Sequence, residues 1–392
     1  MGQFATKSVP GRQWLKKATV AVLCSIVNAA GQMPHFTQQT IATDLAGGYQ
    51  VVACDVNHDG KPDLIALASN MTELIWFENP GWQRHVIASG LHHMINLAAW
   101  DIDGDGIPEI ALAYEFSMNP AESLGKVAIL HHEGDVRQPW KMEEIDRLPA
   151  SHRLRWADID GSGKKVLINA PLAAAHAQAP DYRGRVPLVY YRPDDWKRRL
   201  IGDAEEGIVH GIYVTDWDGD GRDEILIGSF LGIHLYRYTR DGEWARSEIT
   251  RGDPNPWPRS GTSDIAPGQL EKERFLAAIE PWHGNQVVVY RQATSRGAWK
   301  RQVIDSSLLD GHTVLTADFD GDGSDEIIAG YRGQPYGVNL YKFRGESWTR
   351  EAIDSGGMSA AGCAIADLNG DGRPDFACIG SATHNLKVYL NQ

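Results

Sequence analysis

The chain has 392 residues, 42% hydrophobic and 23% charged, which supplies a large buried core and excludes wholesale disorder. A formal net charge of -13 argues against nucleic acid as partner, because affinity for a phosphate backbone comes mainly from Lys and Arg displacing counterions. The length alone suits two ordinary domains, but repetition along the chain points to one.

In chain order, the first segment stands apart. Lys7, Arg12, Lys16 and Lys17 precede an apolar run from Ala18 to Val27, and Val27-Asn28-Ala29 offers small residues where a signal peptidase reads. Residues 1–30 are expected to be a secretory signal peptide, cleaved near Ala29, which makes the mature protein secreted or periplasmic. The run falls short of the ~20 residues that span a bilayer, so no membrane span is expected after cleavage. Leu23 before Cys24 is too large for the usual lipoprotein site. Of the remaining cysteines, Cys54, Cys363 and Cys378, two fall on neighbouring predicted strands and could pair, but buried free thiols are the expectation.

Residues 31–392 are built from one repeat. Trp82, Trp140, Trp196, Trp244, Trp299 and Trp348 are each followed five residues later by isoleucine, and Phe36 with Ile41 repeats the pattern. Spacings run from 46 residues (Phe36 to Trp82) to 58 (Trp82 to Trp140), which suits a four-stranded propeller blade. An acidic motif, Asp-x-Asp/Asn-x-Asp/Ser-Gly, begins at Asp55, Asp101, Asp158, Asp216, Asp318 and Asp367. One aromatic copy precedes the first acidic loop, and none follows the last. That offset predicts an all-β, seven-bladed β-propeller of four-stranded blades, closed by an N-terminal strand, Phe36 to Ile41, that completes the last blade.

Unit six shows the predicted strands: His312 to Ala317, Glu326 to Ala329, Val338 to Phe343 and Trp348 to Ile353. Unit five yields only three, Phe275 to Ile279, Gln286 to Tyr290 and Trp299 to Ile304, and lacks the acidic loop. Each motif Trp is expected between adjacent blades, with its N–H finding a partner at the blade rim; a row of sugar-stacking rings is the alternative.

The acidic loops follow the logic of calcium ligation, in which alternate oxygen side chains converge, glycine permits a sharp turn and a ninth-position acid closes the shell. The sets are Asp55/Asn57/Asp59/Asp63, Asp101/Asp103/Asp105/Glu109, Asp216/Asp218/Asp220/Glu224, Asp318/Asp320/Asp322/Glu326 and Asp367/Asn369/Asp371/Asp375. An EF-hand is excluded, because strands follow and the last acid comes at position nine instead of twelve. Asp158/Asp160/Ser162 has Val166 in ninth place and is expected to bind weakly or not at all. The same loops could also be turns held by side-chain to backbone hydrogen bonds with no ion. These residues resemble the FG-GAP or VCBS repeats of seven-bladed propellers, the family that includes the integrin α head.

Strand order puts the acidic loops on one face and the histidines on the other. His152, His210 and His312 each stand six residues before the first Asp of their loop, at the start of inner strands beside the central channel; Tyr49 holds that place in unit one. His92, His93, His176, His283 and His384 fall on the same rim, with Tyr182, Arg332 and Tyr336. Long second-to-third-strand loops, Glu115 to Gly125 and Ala170 to Pro187, are of a size that builds pockets. Such convergence fits a metal or acid/base site.

The strings "SHRLRWADIDG", "GIVHGIYVTDWDGDG", "IEPWHGNQVVVY" and "GHTVLTADFDGDG" are similar to the propeller domain of aldos-2-ulose dehydratase and, more distantly, to propeller lyases that cut rhamnose-glucuronate linkages. The resemblance implies a carbon-oxygen lyase acting on a sugar derivative, with a divalent metal, zinc by preference, near the propeller face. β-Elimination needs a base, an electrophile for the enolate and an acid for the leaving oxygen. The expected roles are His152 as base; His210, His283 and His312 as metal ligands or enolate stabilisers; and Tyr182, Arg332 and Arg155 as acid or substrate anchors. A noncatalytic, calcium-stabilised propeller holding a glycan or protein is the alternative. A hydrolase would need a rim carboxylate pair from among Glu115, Glu206 and Glu280.

Overall fold

Short segments of β-branched and aromatic residues, punctuated by Gly- and Asp-rich turns, form 28 strands in a computed structural model that describes residues 33–292 and 297–392. The strands pair in chain order into seven four-stranded antiparallel sheets. Six sheets are continuous in sequence. The seventh takes its outer strand, Phe36–Ala42, from the start of the propeller, paired antiparallel with Leu386–Asn391. The expected closure is therefore present. The signal-peptide expectation for residues 1–30 lies outside the described residues, and no described helix is long and apolar enough to cross a membrane.

The core is divided among the seams between blades. Each of seven apolar clusters joins two neighbouring blades, and each includes the motif aromatic of the later blade: Trp82, Trp140, Trp196, Trp244, Trp299, Trp348 or Phe36. Trp244 packs against Tyr190 of the preceding blade, Trp299 against Trp217 and Trp348 against Phe275. Such large rings contribute most of the apolar area that holds one blade to the next. The hydrogen-bond expectation needs correction: Trp140 Nε1 donates to Val136 O at 2.9 Å, whereas Trp244 and Trp348 Nε1 are buried without a partner.

Polar latches close the same seams. Tyr191 and Arg198 of blade three donate to Asp146 of blade two, at 2.5 and 2.7 Å. Tyr236 and Arg246 donate to Glu205, Tyr341 and Arg350 to Asp305, and Tyr389 and Lys387 to Asp354, all across blade boundaries.

Two further expectations are corrected. Blade five does have an inner strand, Asp264–Leu270, which turns directly into Glu273–Glu280 because Glu271 adopts a left-handed φ of 53° in place of an acidic loop. Cys363 and Cys378 are directly opposed on adjacent strands and form a disulfide in place of two free thiols. Cys54 is the free cysteine among the described residues, its thiol pushed up to about 12 by burial and by Asp63 and Asp55.

Candidate functional site

A repeated irregularity of the inner strands builds the site. Pairing with the second strand slips by one residue between Gly48 and Gln50, Ser151 and Arg153, Val209 and Gly211, Gly311 and Thr313, and Ala360 and Gly362. The residues skipped are Tyr49, His152, His210, His312 and Ala361. A β-bulge re-aims the side chain it extrudes, so one local device in five blades presents this set at the channel mouth. The inner strands of blades two and five pair without such a slip. Glycines let the strands converge: a Cβ on Gly211 would lie 2.7 Å from Ser263 O, and one on Gly362 would lie 2.8 Å from Tyr49 O.

His283 joins the cluster from the loop after Glu273–Glu280, at a left-handed φ of 50°. Ring centroids stand 5.2 Å apart for His152 and His210, 4.9 Å for His210 and His312, 5.2 Å for His210 and His283, and 5.1 Å for His283 and His312. One donor nitrogen from each of His210, His283 and His312 lies within 4.8 Å of the others, and His152 is outside that group. His312 Nδ1 donates to Ala361 O, which leaves Nε2 buried without a partner. His283 Nε2 is also unpartnered, while its Nδ1 faces Arg332 Nη2 at 3.2 Å and Asp310 Oδ1 at 3.5 Å. Arg153 Nη2 approaches His210 Nε2 at 3.1 Å, a contact that a bound cation would displace. Three neutral imidazoles with free or displaceable lone pairs, two of them oriented through their other nitrogen, fit a divalent transition metal such as zinc.

Burial holds all four imidazoles well below the ordinary histidine value, aided by Arg153 at His152 and His210 and by Arg332 at His283 and His312. The rings are therefore neutral at physiological pH and available as ligands or bases.

Above the cluster lies a cavity of about 1150 Å³, lined by His93, Glu115, Phe116, His152, His210, Trp282, His283 and Arg332. The blade-two loop supplies much of its wall. The blade-three loop instead packs behind it, in an apolar cluster that includes Tyr182 and Trp282. Tyr182 thus does not line the cavity; its ring meets Trp282 edge-on at 5.8 Å. Arg155 is displaced too, into a narrower channel space of about 430 Å³ with Arg153, Asp264 and His312, where it donates to Leu154 O at 2.7 Å. Arg332 remains at the rim, held by two 3.1 Å hydrogen bonds to Asp310. His92, His176 and His384 are exposed and outside the cavity lining. Among the hydrolase candidates, Glu280 is committed to Thr262, Tyr290 and Arg301, Glu206 lies 3.8 Å from Arg183, and Glu115 lines the cavity.

On the opposite face the acidic loops brace themselves. Asp101 accepts from Gly104 and Gly106 N–H, and Glu109 accepts from Ile102 N–H; Asp55/Asp63, Asp216/Glu224, Asp318/Glu326 and Asp367/Asp375 repeat the pattern. Neighbouring donors and cations of the chain claim some of the loop oxygens. In loops two, four and six three acids converge: Asp101/Asp103/Glu109, Asp216/Asp218/Glu224 and Asp318/Asp320/Glu326. The fifth-position acids stand outside those sets. Asp105 Oδ2 meets His132 Nε2 at 2.9 Å, Asp220 pairs with Arg222 at 3.0 Å, and Asp322 accepts from Lys342 at 2.8 Å.

In loops one and seven no three acids converge in this way among the described residues. Asn57 Nδ2 donates to Glu78 at 3.1 Å, while its Oδ1 accepts from Asp59 N–H at 3.1 Å within the loop. Asp59 accepts from Lys61 N–H at 2.9 Å and lies 3.9 Å from the Lys61 ammonium. Asn369 and Asp371 are taken up by each other, Asn369 Nδ2 donating to Asp371 Oδ2 at 3.1 Å, while the second Asp371 oxygen accepts from Arg373 N–H.

Cations of the chain itself compete elsewhere. The buried Lys342 ammonium donates to Asp320 and Glu326 as well as Asp322, so loop six carries its own positive charge. Arg237 likewise contacts Asp218 and Glu224 in loop four. Asp101, Asp103 and Glu109 converge with no lysine or arginine bonded to them among the described residues.

Residues 55–112 and 318–378 match FG-GAP-like repeats, and residues 124–293 match the β-propeller domain of aldos-2-ulose dehydratase. This chain is a seven-bladed propeller carrying FG-GAP-like repeats. It is similar to aldos-2-ulose dehydratase of Phanerodontia chrysosporium, with 26% identity over 62% of this chain and 30% of that protein. The propeller thus spans less than a third of that relative's length. Solved structures of similar fold include BBS1N in complex with ARL6DN (TM-score 0.55, 12% identity, 92% of this chain and 98% of that one). Another is a chain of the mitotic checkpoint complex (TM-score 0.58, 9% identity, 99% of each).

Proposed function

We propose that the propeller is a carbon-oxygen lyase that removes water or an alcohol from a sugar derivative by β-elimination at the channel mouth. The observation that carries this reading is the division of labour among four neutral imidazoles under one cavity: three converge as a ligand set and His152 stands beside them. The dehydratase similarity supports a carbohydrate substrate.

His210, His283 and His312 would hold a divalent metal, which supplies a Lewis acid for a carbonyl next to the reacting carbon. His152 takes the proton from that carbon. Its depressed basicity keeps the ring unprotonated but makes it a weak base, so the substrate carbon must be acidified by an adjacent polarised carbonyl. For Nε2 of His283 to ligate, its Nδ1–H would donate to Asp310, which also pins Arg332 at the border of the substrate space. Trp282, whose ring lies 4.5 Å from that of His283, and Phe116 give the cavity apolar walls that exclude water and support a sugar face. In the same reading the protein is secreted or periplasmic, and calcium enters the acidic loops, with Asp101, Asp103 and Glu109 preferred over the loop filled by Lys342.

The test is metal analysis of purified protein, followed by a screen of ketosugars and uronic-acid glycosides for a new ultraviolet enone band. Metal-dependent absorbance supports the lyase. Tight glycan binding with no turnover would replace it by the noncatalytic, calcium-stabilised binding propeller.

A further inference from the structure

Tyr49 occupies in blade one the bulge position that blades three, four and six give to histidine. Its hydroxyl lies 2.9 Å from His152 Nε2, and its ring meets His312 edge-on at 5.3 Å. It borders both the rim cavity and the channel space beneath, a position that Tyr182 and Arg155 do not share. His152 Nδ1, by contrast, is buried with no partner. One imidazole therefore has a phenol on one nitrogen and nothing on the other. Burial raises the phenol above its ordinary value, against the opposing charges of Arg153 and Arg332, so the O–H proton stays on oxygen.

We propose that Tyr49 and His152 form a proton relay in which the imidazole accepts the substrate carbon's proton on Nδ1 and the phenol protonates the leaving oxygen. This rests on the lyase reading. The starting ring carries its proton on Nε2 and donates it toward the Tyr49 oxygen. The substrate C–H bond breaks, its proton bonds to Nδ1, and its electron pair becomes the second bond of the new C=C. The C–O bond breaks with its pair on oxygen, which takes the Tyr49 proton and leaves as water or alcohol. The Nε2 proton then moves to the phenolate. No oxidant, reductant or net proton is needed. Each turnover ends with the imidazole in the opposite tautomer, and proton exchange with water resets it. Tyr49 thereby takes the acid role, for which the sequence offers Tyr182, Arg332 and Arg155 as acid or substrate anchors.

The test uses the full chain with zinc, comparing wild type with Tyr49→Phe. With 15N-labelled histidine, the wild-type resting protein is expected to show His152 protonated on Nε2, and Tyr49→Phe to lose that fixed tautomer while keeping its zinc content. On a substrate that wild type consumes, kcat is expected to fall by about 10²- to 10⁴-fold, the usual worth of a positioned acid, with KM within about twofold. If wild type turns over no sugar, the lyase reading fails and the relay with it. If wild type is active and Tyr49→Phe keeps kcat within about threefold, or if resting His152 carries its proton on Nδ1, the relay alone is overturned. Should Tyr49→Phe not fold, 3-fluorotyrosine at position 49 serves in its place: a kcat indifferent to phenol acidity overturns the relay, and a shifted one supports it.

Discussion

Two kinds of ionisable cluster are buried in this propeller, and they differ in what their polar atoms touch. At the blade seams, carboxylates are saturated: Glu205 accepts from Ser229, Tyr236 and Arg246, and Asp146 from Tyr191 and Arg198. At the channel mouth, His152 Nδ1, His283 Nε2 and His312 Nε2 are buried with no partner at all. Leaving a buried polar atom unmatched costs about 1–3 kcal/mol, so a site that keeps three of them is shaped for something that supplies the missing contacts. The seam carboxylates are matched within the fold, whereas these unmatched imidazole nitrogens gather under one cavity.

The sharpest way to break that distinction is kinetic. His152→Ala is expected to lower kcat by about 10²- to 10⁴-fold while the thermal unfolding midpoint stays near wild type; unchanged turnover would move His152 to the structural side. Glu205→Ala should do the reverse, costing about 3–5 kcal/mol in denaturant unfolding by stranding Arg246, with the zinc content of folded protein unchanged. Asp310→Asn probes the supporting layer and should weaken zinc binding by about 10- to 100-fold, read by competition with a chelator. The smallest effect belongs to Arg155→Gln, for which kcat/KM within about threefold is expected, because that side chain lies below the substrate cavity.

Acid unfolding adds a sign. Burial alone would raise Glu205, but His234, Ser229 and Arg246 hold it down at about 2, below its ordinary 4.5. A depressed carboxylate stabilises the fold above its unfolded value, and that contribution is lost as pH falls from about 4.5 through 2. Glu205→Gln should therefore flatten the acid limb of stability in that window, measured by urea midpoints.

The ring was legible because its signals repeat: the Trp and Asp motifs set the blade count, and their offset predicts closure by Phe36 to Ile41, observed as Phe36–Ala42. The inner strand of blade five was not, since Asp264–Leu270 carries Pro267 and Gly268 and has no acidic loop to announce it. The latches had a signal that went unused: arginine two residues after the motif Trp (Arg198, Arg246, Arg350) and aspartate six after it (Asp146, Asp305, Asp354). Sequence phase brought His152, His210 and His312 together because a one-residue bulge recurs at a fixed distance before each loop. It misplaced Tyr182 and Arg155, because loop packing and side-chain direction along a strand depend on neighbours remote in the chain.

The Phe36–Ala42 ribbon has a temporal consequence. A ribosome releases it long before the strand that will receive it, Leu386–Asn391, so the first described strand must wait for the last described one. Contacts of such sequence separation form slowly, because chain entropy is spent before they stabilise anything. Tyr49, just after that ribbon, meets His312 only when the circle is joined, so the assembled channel mouth should appear late in folding and in a single step.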